Sequence, residues 1–357
     1  VSNYSTAKGA IDNNLILQHS VNSKPLNTTT KRNDMVTIGT LGSHSALNIL
    51  AGAKDEGFRT VLLCEKSRTF YERFNVADEI IYLENLSEIK KKDLQEKLIK
   101  KDVILIPHGS YISYLDLDFL ENEFSVPIFG NKYLFRHESD RDLERDWFVK
   151  AGIRIPQTFA PDDIDRQVIV KYHGAKGGKG YFTVGSPEEY YEKIGEGDVQ
   201  IQEWIHGVTM YFHYFYSPLT EELELTSIDR RYETTADAVR TMVDREPTYV
   251  VVGNFPIVIR ESLLEQVFAI GDKVVDASRK LHKKGLVGPF CLETIITDAP
   301  EIVVFEISAR IVAGTNVFVP YSPYTYARYF EPMSAGRRVA REVKTASKEG
   351  RIKDVVS

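Results

Sequence analysis

An α/β and α+β protein of more than one packed unit is predicted by three features of the 357-residue sequence. The first is an alternation of strand, loop, helix and strand from Met35 to Cys64, which implies a βαβ unit and a parallel sheet. The second is a glycine-rich turn, Lys171-Tyr-His-Gly-Ala-Lys-Gly-Gly-Lys-Gly180, between two strand-like runs. The third is a pair of carboxylates on adjacent strand-like runs, Glu293 in Phe-Cys-Leu-Glu-Thr and Glu306 in Val-Val-Phe-Glu-Ile-Ser.

In chain order, residues 1–34 are rich in Asn, Ser and Thr and read as a flexible tail. Strand Val36–Thr40 then meets the loop Leu41–His44 and a helix from Ser45 to Glu56, after which Gly57 supplies the left-handed cap and Arg59–Cys64 the next strand. Asp102–Ile106 is a further strand, and Pro107-His-Gly-Ser110 follows at its carboxyl end, where open α/β sheets bind ligands. A helix from about Asp140 to Ala151 stops at Gly152. Gln167–Lys171 and Tyr181–Val184 flank the glycine turn, and strands Met210–Tyr216 and Leu223–Ile228 come next. A long amphipathic helix opens with a capping-box spacing, Ser262 to Glu265, and is expected to bury Leu263, Val267, Val274 and Val275.

Composition narrows the class. A formal charge of -6 argues against a nucleic-acid backbone as the main partner. No apolar run reaches membrane-spanning length and no signal-peptide pattern opens the chain, so a soluble cytoplasmic protein is expected. Cys64 and Cys291 sit in apolar runs and read as small buried hydrophobes.

The glycine turn is not a P-loop, because Gly-x-x-x-x-Gly-Lys-Ser/Thr is absent and no helix follows. Taken alone it reads as an exposed lysine hairpin. Its glycines, Gly177 and Gly178 among them, can also lay backbone N–H groups over phosphates while Lys171, Lys176 and Lys179 offset the charge. The downstream acids favour that second reading. A Mg²⁺ ion that keeps several waters takes one or two protein carboxylates and fills its shell with phosphate oxygens, so Glu293 and Glu306 are the right count. The apolar neighbours of Glu306 imply a buried carboxylate, which is rare without a partner or a metal. Arg310 and Asn316 lie just beyond and suit charge developing in phosphoryl transfer. The chain therefore reads as ATP-using.

Taken in order, these pieces resemble the ATP-grasp superfamily. The runs Gly-Thr-Leu-Gly-Ser-His44, Pro-His-Gly-Ser110, Asp229-Arg-Arg-Tyr-Glu233, Gly253-Asn254 and Gly288-Pro-Phe-Cys-Leu-Glu293 further resemble the archaeal formate-dependent family that makes formaminoimidazole-carboxamide ribonucleotide. That resemblance covers Met35 to the C-terminus. It implies a Rossmann-like domain over residues 35–130 and an ATP-grasp domain over 131–357, with a small glycine-loop lid at about 157–206. It also implies a folate-free step of purine synthesis, in which formate and ATP give formyl phosphate and an imidazole carboxamide ribonucleotide takes the formyl group. Its ribonucleotide contacts fall on His44, Ser110 and Asn254, and its ATP contacts on the lid around Lys171 and on Glu233. The adenine falls at Gln202 to Ile205, with Glu203 available to a ribose hydroxyl. Glu293 and Glu306 become ligands for Mg²⁺ or Mn²⁺, and a homo-oligomer is expected.

Three positions depart from the pattern. Ser308 stands where many ATP-grasp proteins carry Asn, and Val312-Ala313 where relatives carry Asp-Gly. An ATP-grasp ligase for another carboxylate and amine, or a non-catalytic nucleotide-binding paralogue, are the alternative readings. His44 opens a helix whose free N–H groups favour a phosphate. His108 and His213 are read as a loop residue near ligand and a packed strand residue respectively. The remaining histidines lack metal-ligand spacing.

Overall fold

A computed structural model describes residues 36–173, 180–233, 250–312 and 322–357. The N-terminal tail, Lys176, Gly177, Gly178, Lys179 and Asn316 lie outside the described residues. Among the described residues, three sheets organise the body.

The first is parallel, with β1 (Thr37–Leu41), β2 (Arg59–Glu65), β3 (Glu79–Leu83) and β4 (Val103–Leu105) in the order β3-β2-β1-β4. All five residues of β1 are buried, as a strand covered on both faces requires. The helix after it runs Ala46–Asp55, and Gly57 takes φ +89° just beyond its end, as the capping signal predicts. The second sheet is antiparallel, β6-β5-β7, from β5 (Val168–Tyr172), β6 (Tyr181–Val184) and β7 (Val199–Glu203). The third is antiparallel, β10-β9-β8-β11-β12, from β8 (Val208–Ser217), β9 (Glu222–Glu233), β10 (Val251–Pro256), β11 (Gly288–Ile296) and β12 (Ile302–Ser308).

One face of the large sheet is apolar. Phe212, Tyr214, Phe290, Leu292 and Ile307 pack against Trp147, Val267 and Val274 from two helices, Arg141–Ala151 and Leu264–Leu281. The alternation of side chains along each strand then presents Tyr211, His213, Asp229, Arg231, Cys291 and Glu293 to the other face. Asp140 caps the first helix by accepting from the backbone N–H groups of Asp142 and Leu143, and Gly152 ends it at φ +64°. The expected capping box of the second is absent. A 3₁₀ turn, Glu261–Leu263, leads into that helix, so Ser262 lies inside the turn and Leu263 takes the cap position with no side-chain bond. Leu263, Val267, Val274 and Val275 are nonetheless buried, because helical spacing rather than the cap sets the packed face.

The C-terminal helix, Ala335–Lys348, leaves the large sheet and packs on the helix Ala46–Asp55. Their backbones touch. A Cβ on Gly52 would lie 2.0 Å from the Arg337 nitrogen, one on Gly336 would lie 2.2 Å from the Asn48 carbonyl oxygen, and the Gly336 N–H donates to Asn48 Oδ1 at 2.7 Å. The chain end continues this tie, with Ile128 and Ser357 exchanging backbone hydrogen bonds at 3.0 and 2.8 Å. Gly52→Ala should therefore lower stability by about 3 kcal/mol, since neither backbone can yield without unpacking the helix pair. A urea midpoint equivalent to a loss below about 1 kcal/mol would contradict the close crossing.

Candidate active site

Glu293 and Glu306 are direct cross-strand partners on β11 and β12. Opposed side chains of this kind have Cβ atoms about 5 Å apart, and like charges there repel. The register slips immediately after this pair because β12 carries one extra residue, Phe305. Burial differs from expectation. Glu293 is the enclosed carboxylate, at 4% exposure, whereas Glu306 is only half-buried because it stands on the edge strand beside the bulge. Burial and the facing Glu306 push the Glu293 carboxyl up to about 7, against the opposing pull of the Arg231 guanidinium paired with it. Arg231 also stacks its guanidinium 3.9 Å from the Tyr211 ring centre.

Two further carboxylates underlie β12. Glu144 Oε1 accepts from the Ile307 N–H at 2.7 Å, and Glu138 Oε2 accepts from the Ala309 N–H at 2.8 Å. They cap N–H groups that an edge strand would otherwise leave unpaired. Burial raises the pKa of both. Sequence reasoning missed them, although a signal existed: Glu144 lies on the same helical stripe as Trp147 and Phe148, a charge on an apolar face. Glu138 is ion-paired with Arg310. The Arg310 guanidinium also lies 3.5 Å from the place a Cβ of Gly109 would occupy, so it reaches from the segment after β12 to the loop that follows β4, where the helix Gly109–Tyr114 starts.

That loop is fixed by His108. Its Nε2 bonds the Leu41 carbonyl at 3.0 Å and its Nδ1 accepts from the Ser110 N–H at 3.3 Å, so both ring nitrogens are spent. Burial drives its pKa down to about 3, which keeps the ring neutral. His108 is thus an internal brace, unlike the ligand-facing residue expected. His44 is exposed, sits edge-on to His108 with ring centres 6.3 Å apart, and takes φ +30°, a conformation non-glycine residues seldom hold outside functional loops. Although the residue is exposed, partial desolvation of its ring beside His108 lowers its pKa, followed by the charges of Arg310 and Arg68. Ser45 begins the following helix without a side-chain cap and instead donates to the Val312 carbonyl at 3.1 Å, tying this loop to the segment after β12. Ser110 is buried, and its hydroxyl has no partner among the described residues.

Lys171 lies at the junction of the small and large sheets, its ammonium 5.3 Å from the Phe305 ring centre. Burial lowers its pKa, and Glu306 is the strongest opposing influence. On β7, Gln202 is buried with its Nε2 donating to Gln200, and its Oε1 has no partner among the described residues. Glu203 is already engaged, accepting from Arg154 at 2.9 Å and from the Gln157 N–H at 3.1 Å. Ile205 follows β7 half-buried. Glu233 ends β9 on the same face as Asp229 and Arg231 and acts electrostatically on Tyr211. Asn254 on β10 donates to Asp229 at 2.6 Å. The structure thus gathers His44, Ser110, Arg310, Glu293, Glu306 and Lys171 along the polar face of the large sheet and the loops that meet it.

The donor set suits a divalent cation. Among the described residues no group of three or more His, Cys, Asp or Glu side chains could hold a metal by itself. Two opposed carboxylates instead match an ion that brings its own water and phosphate oxygens.

Comparison with known proteins shows the family. Residues 38–159 match a family model described as a protein of unknown function (DUF1246), and residues 190–357 match a domain of unknown function (DUF1297). The 5-formaminoimidazole-4-carboxamide-1-(beta)-D-ribofuranosyl 5'-monophosphate synthetase of Methanobrevibacter smithii is 46% identical over 345 residues, 91% of this chain and 95% of that protein. The chain belongs to this synthetase family. Within the synthetase family, the IMP biosynthesis protein PurP of Thermococcus kodakaraensis has a solved structure that superposes with a TM-score of 0.76 at 31% identity, over 90% of this chain and all of that one. The N5-carboxyaminoimidazole ribonucleotide synthetase of Thermotoga maritima, 19% identical with a TM-score of 0.57 over 87% of this chain and 76% of that one, shares the fold. The synthetase fold is that of the ATP-grasp enzymes.

Proposed function

We propose that the chain is an ATP-dependent ligase that forms a C–N bond, formylating 5-aminoimidazole-4-carboxamide ribonucleotide with formate in IMP synthesis. The observation that carries this reading is the opposed pair Glu293 and Glu306, with Lys171 on the lid side and Arg310, just beyond β12, reaching toward the His44 and Ser110 loops. Phosphoryl chemistry and acceptor binding can then meet on one face. Names carried by relatives 46% identical over nine-tenths of the chain support the same substrate class.

Mg²⁺ or Mn²⁺ held by Glu293 and Glu306 would offset the charge of the ATP phosphates. Lys171 adds a cation whose partial burial strengthens its attraction to phosphate. A formate oxygen attacks the γ-phosphorus, giving formyl phosphate and ADP. Arg310, braced by Glu138, presents a planar donor to the oxygens on which charge develops. The exocyclic amine then attacks the formyl carbon, inorganic phosphate leaves, and the amine loses a proton. His44 and the N-terminus of the helix Ala46–Asp55, which has no side-chain cap, suit the ribonucleotide's phosphate, while Ser110 and Asn254 suit its polar groups. Gln202, Ile205 and Glu233 border the ATP side, and Glu203 is reached by a ribose hydroxyl only if it exchanges one of its present contacts. On the sequence alone, Lys176, Gly177, Gly178 and Lys179 are assigned to ATP and Asn316 to the transfer chemistry.

The division at residues 34 and 130, with a lid at 157–206, belongs to the same reading and is supported by the limits of the three sheets. The enzyme works in the cytoplasm as a homo-oligomer on small molecules. Its test is ADP release, which should require formate and the ribonucleotide together. ADP formed equally well with another small carboxylate, or with no ribonucleotide, would count against the assignment.

A further inference from the structure

Asp229 on β9 is fully buried in the polar face of the large sheet and touches two side chains. His213 Nε2 pairs with its Oδ1, and Asn254 Nδ2 lies 2.6 Å from its Oδ2. An ionised carboxylate only accepts hydrogen bonds, so both neighbours must present donors to it. That requirement settles which way the Asn254 amide turns. Its NH₂ group faces Asp229, and its carbonyl oxygen must point away. Asn254 Oδ1 is buried there with no partner among the described residues.

Buried acceptors are nearly always satisfied, so one held in place without a partner among the described residues is open to a donor on a bound ligand. A second buried polar atom shares the face: Ser227 Oγ, two residues before Asp229 on β9, is also without a partner among the described residues. Formate and the phosphate chain of ATP carry no N–H, and the reading above assigns the adenine amine to Gln202 to Ile205 beside the small sheet, whereas Asn254 lies on the large one. The imidazole carboxamide ribonucleotide carries two exocyclic nitrogens that do.

We infer that Asp229, fixed by His213, is a positioning residue that turns the Asn254 amide so that Oδ1 accepts a hydrogen bond from the carboxamide N–H of the ribonucleotide, leaving the 5-amino group to attack. The inference rests on the ribonucleotide reading above and adds to it the source of selectivity. A ribonucleotide with a carboxylate in place of the carboxamide would set an oxygen against Oδ1, with the Asp229 charge just behind. Such an analogue is rejected by the pairing of acceptor with acceptor as well as by charge.

Asp229→Asn tests this, because an amide at 229 can donate as well as accept and so frees Asn254 to turn over. The KM for the carboxamide ribonucleotide should rise at least about tenfold, while the KM for ATP and the kcat at saturation change by less than about threefold. Preference for the carboxamide over the carboxylate ribonucleotide should also fall at least about tenfold. A purely structural role for Asp229 would lower thermal stability and move all kinetic constants together, which would overturn the inference. Should Asp229→Asn fail to fold, Asn254→Ala, a half-buried change on β10, decides instead: the same loss of preference supports the inference and an intact preference overturns it. Calorimetry with the unaltered protein separates the two levels. Failure to bind the carboxamide ribonucleotide would remove the functional reading as well, whereas normal binding with unchanged preference in the variants removes only the role of Asp229.

Discussion

Glu306→Gln is expected to abolish turnover while leaving the fold at least as stable as before. The amide keeps the shape of the carboxylate but removes the charge that a divalent cation and its phosphates require. Loss of rate to a thousandth or less, on the order of 4 kcal/mol in the transition state, is expected. Stability should move the other way. Glu293 and Glu306 face each other across β11 and β12 as like charges, so removing one relieves a repulsion of roughly 0.5–1 kcal/mol. An inactive variant with an unchanged or raised unfolding midpoint is the signature of a residue kept for chemistry at the expense of the fold. Steady-state ADP release and a denaturant titration on one preparation measure both. A folded Glu306→Gln protein that releases ADP normally would refute the assignment.

Arg310→Lys is the second large effect. The guanidinium pairs with the buried Glu138 and extends toward Gly109 and the His44 loop, a reach that depends on its planar fork. A lysine supplies a single point of charge and cannot serve both directions. The kcat should fall by about 100-fold or more, comparable to losing one donor to a developing oxyanion. Glu138 would keep the Ala309 N–H but lose part of its charge pairing, so stability should drop by about 2 kcal/mol as well. A variant that keeps half the parental kcat would show that Arg310 braces β12 and does no more.

Much of this arrangement is legible in the sequence, for identifiable reasons. The parallel sheet follows from the alternation of apolar runs with a helical segment between Val36 and Cys64, a pattern strong enough to survive without knowledge of contacts. Glu293 and Glu306 are legible because each interrupts an apolar strand. What sequence spacing does not carry is pairing across strands. Nothing in one dimension says that His213, Asp229 and Asn254 meet, since they come from three strands whose register depends on bulges at the His213/Tyr214 and Val251/Gly253 steps. The extra residue Phe305 is equally silent in sequence, yet it turns Glu306 from the buried position expected of it to a half-open one. His108 was misjudged for a related reason. Its position after β4 suggested a ligand, but the proximity of the Leu41 carbonyl, which parallel pairing of β1 and β4 creates, makes it a brace. The docking of Ala335–Lys348 on Ala46–Asp55 is also invisible, because two glycines nearly three hundred residues apart share one contact.

The claim at the centre of this account is that formate is phosphorylated before the amine attacks. Formate labelled with ¹⁸O on both oxygens tests it directly, by mass spectrometry of the phosphate and of the formamido product after complete turnover. If formyl phosphate forms on the enzyme, each released phosphate carries one labelled oxygen and each product formyl group keeps the other. Product that accumulates alongside wholly unlabelled phosphate would contradict the mechanism.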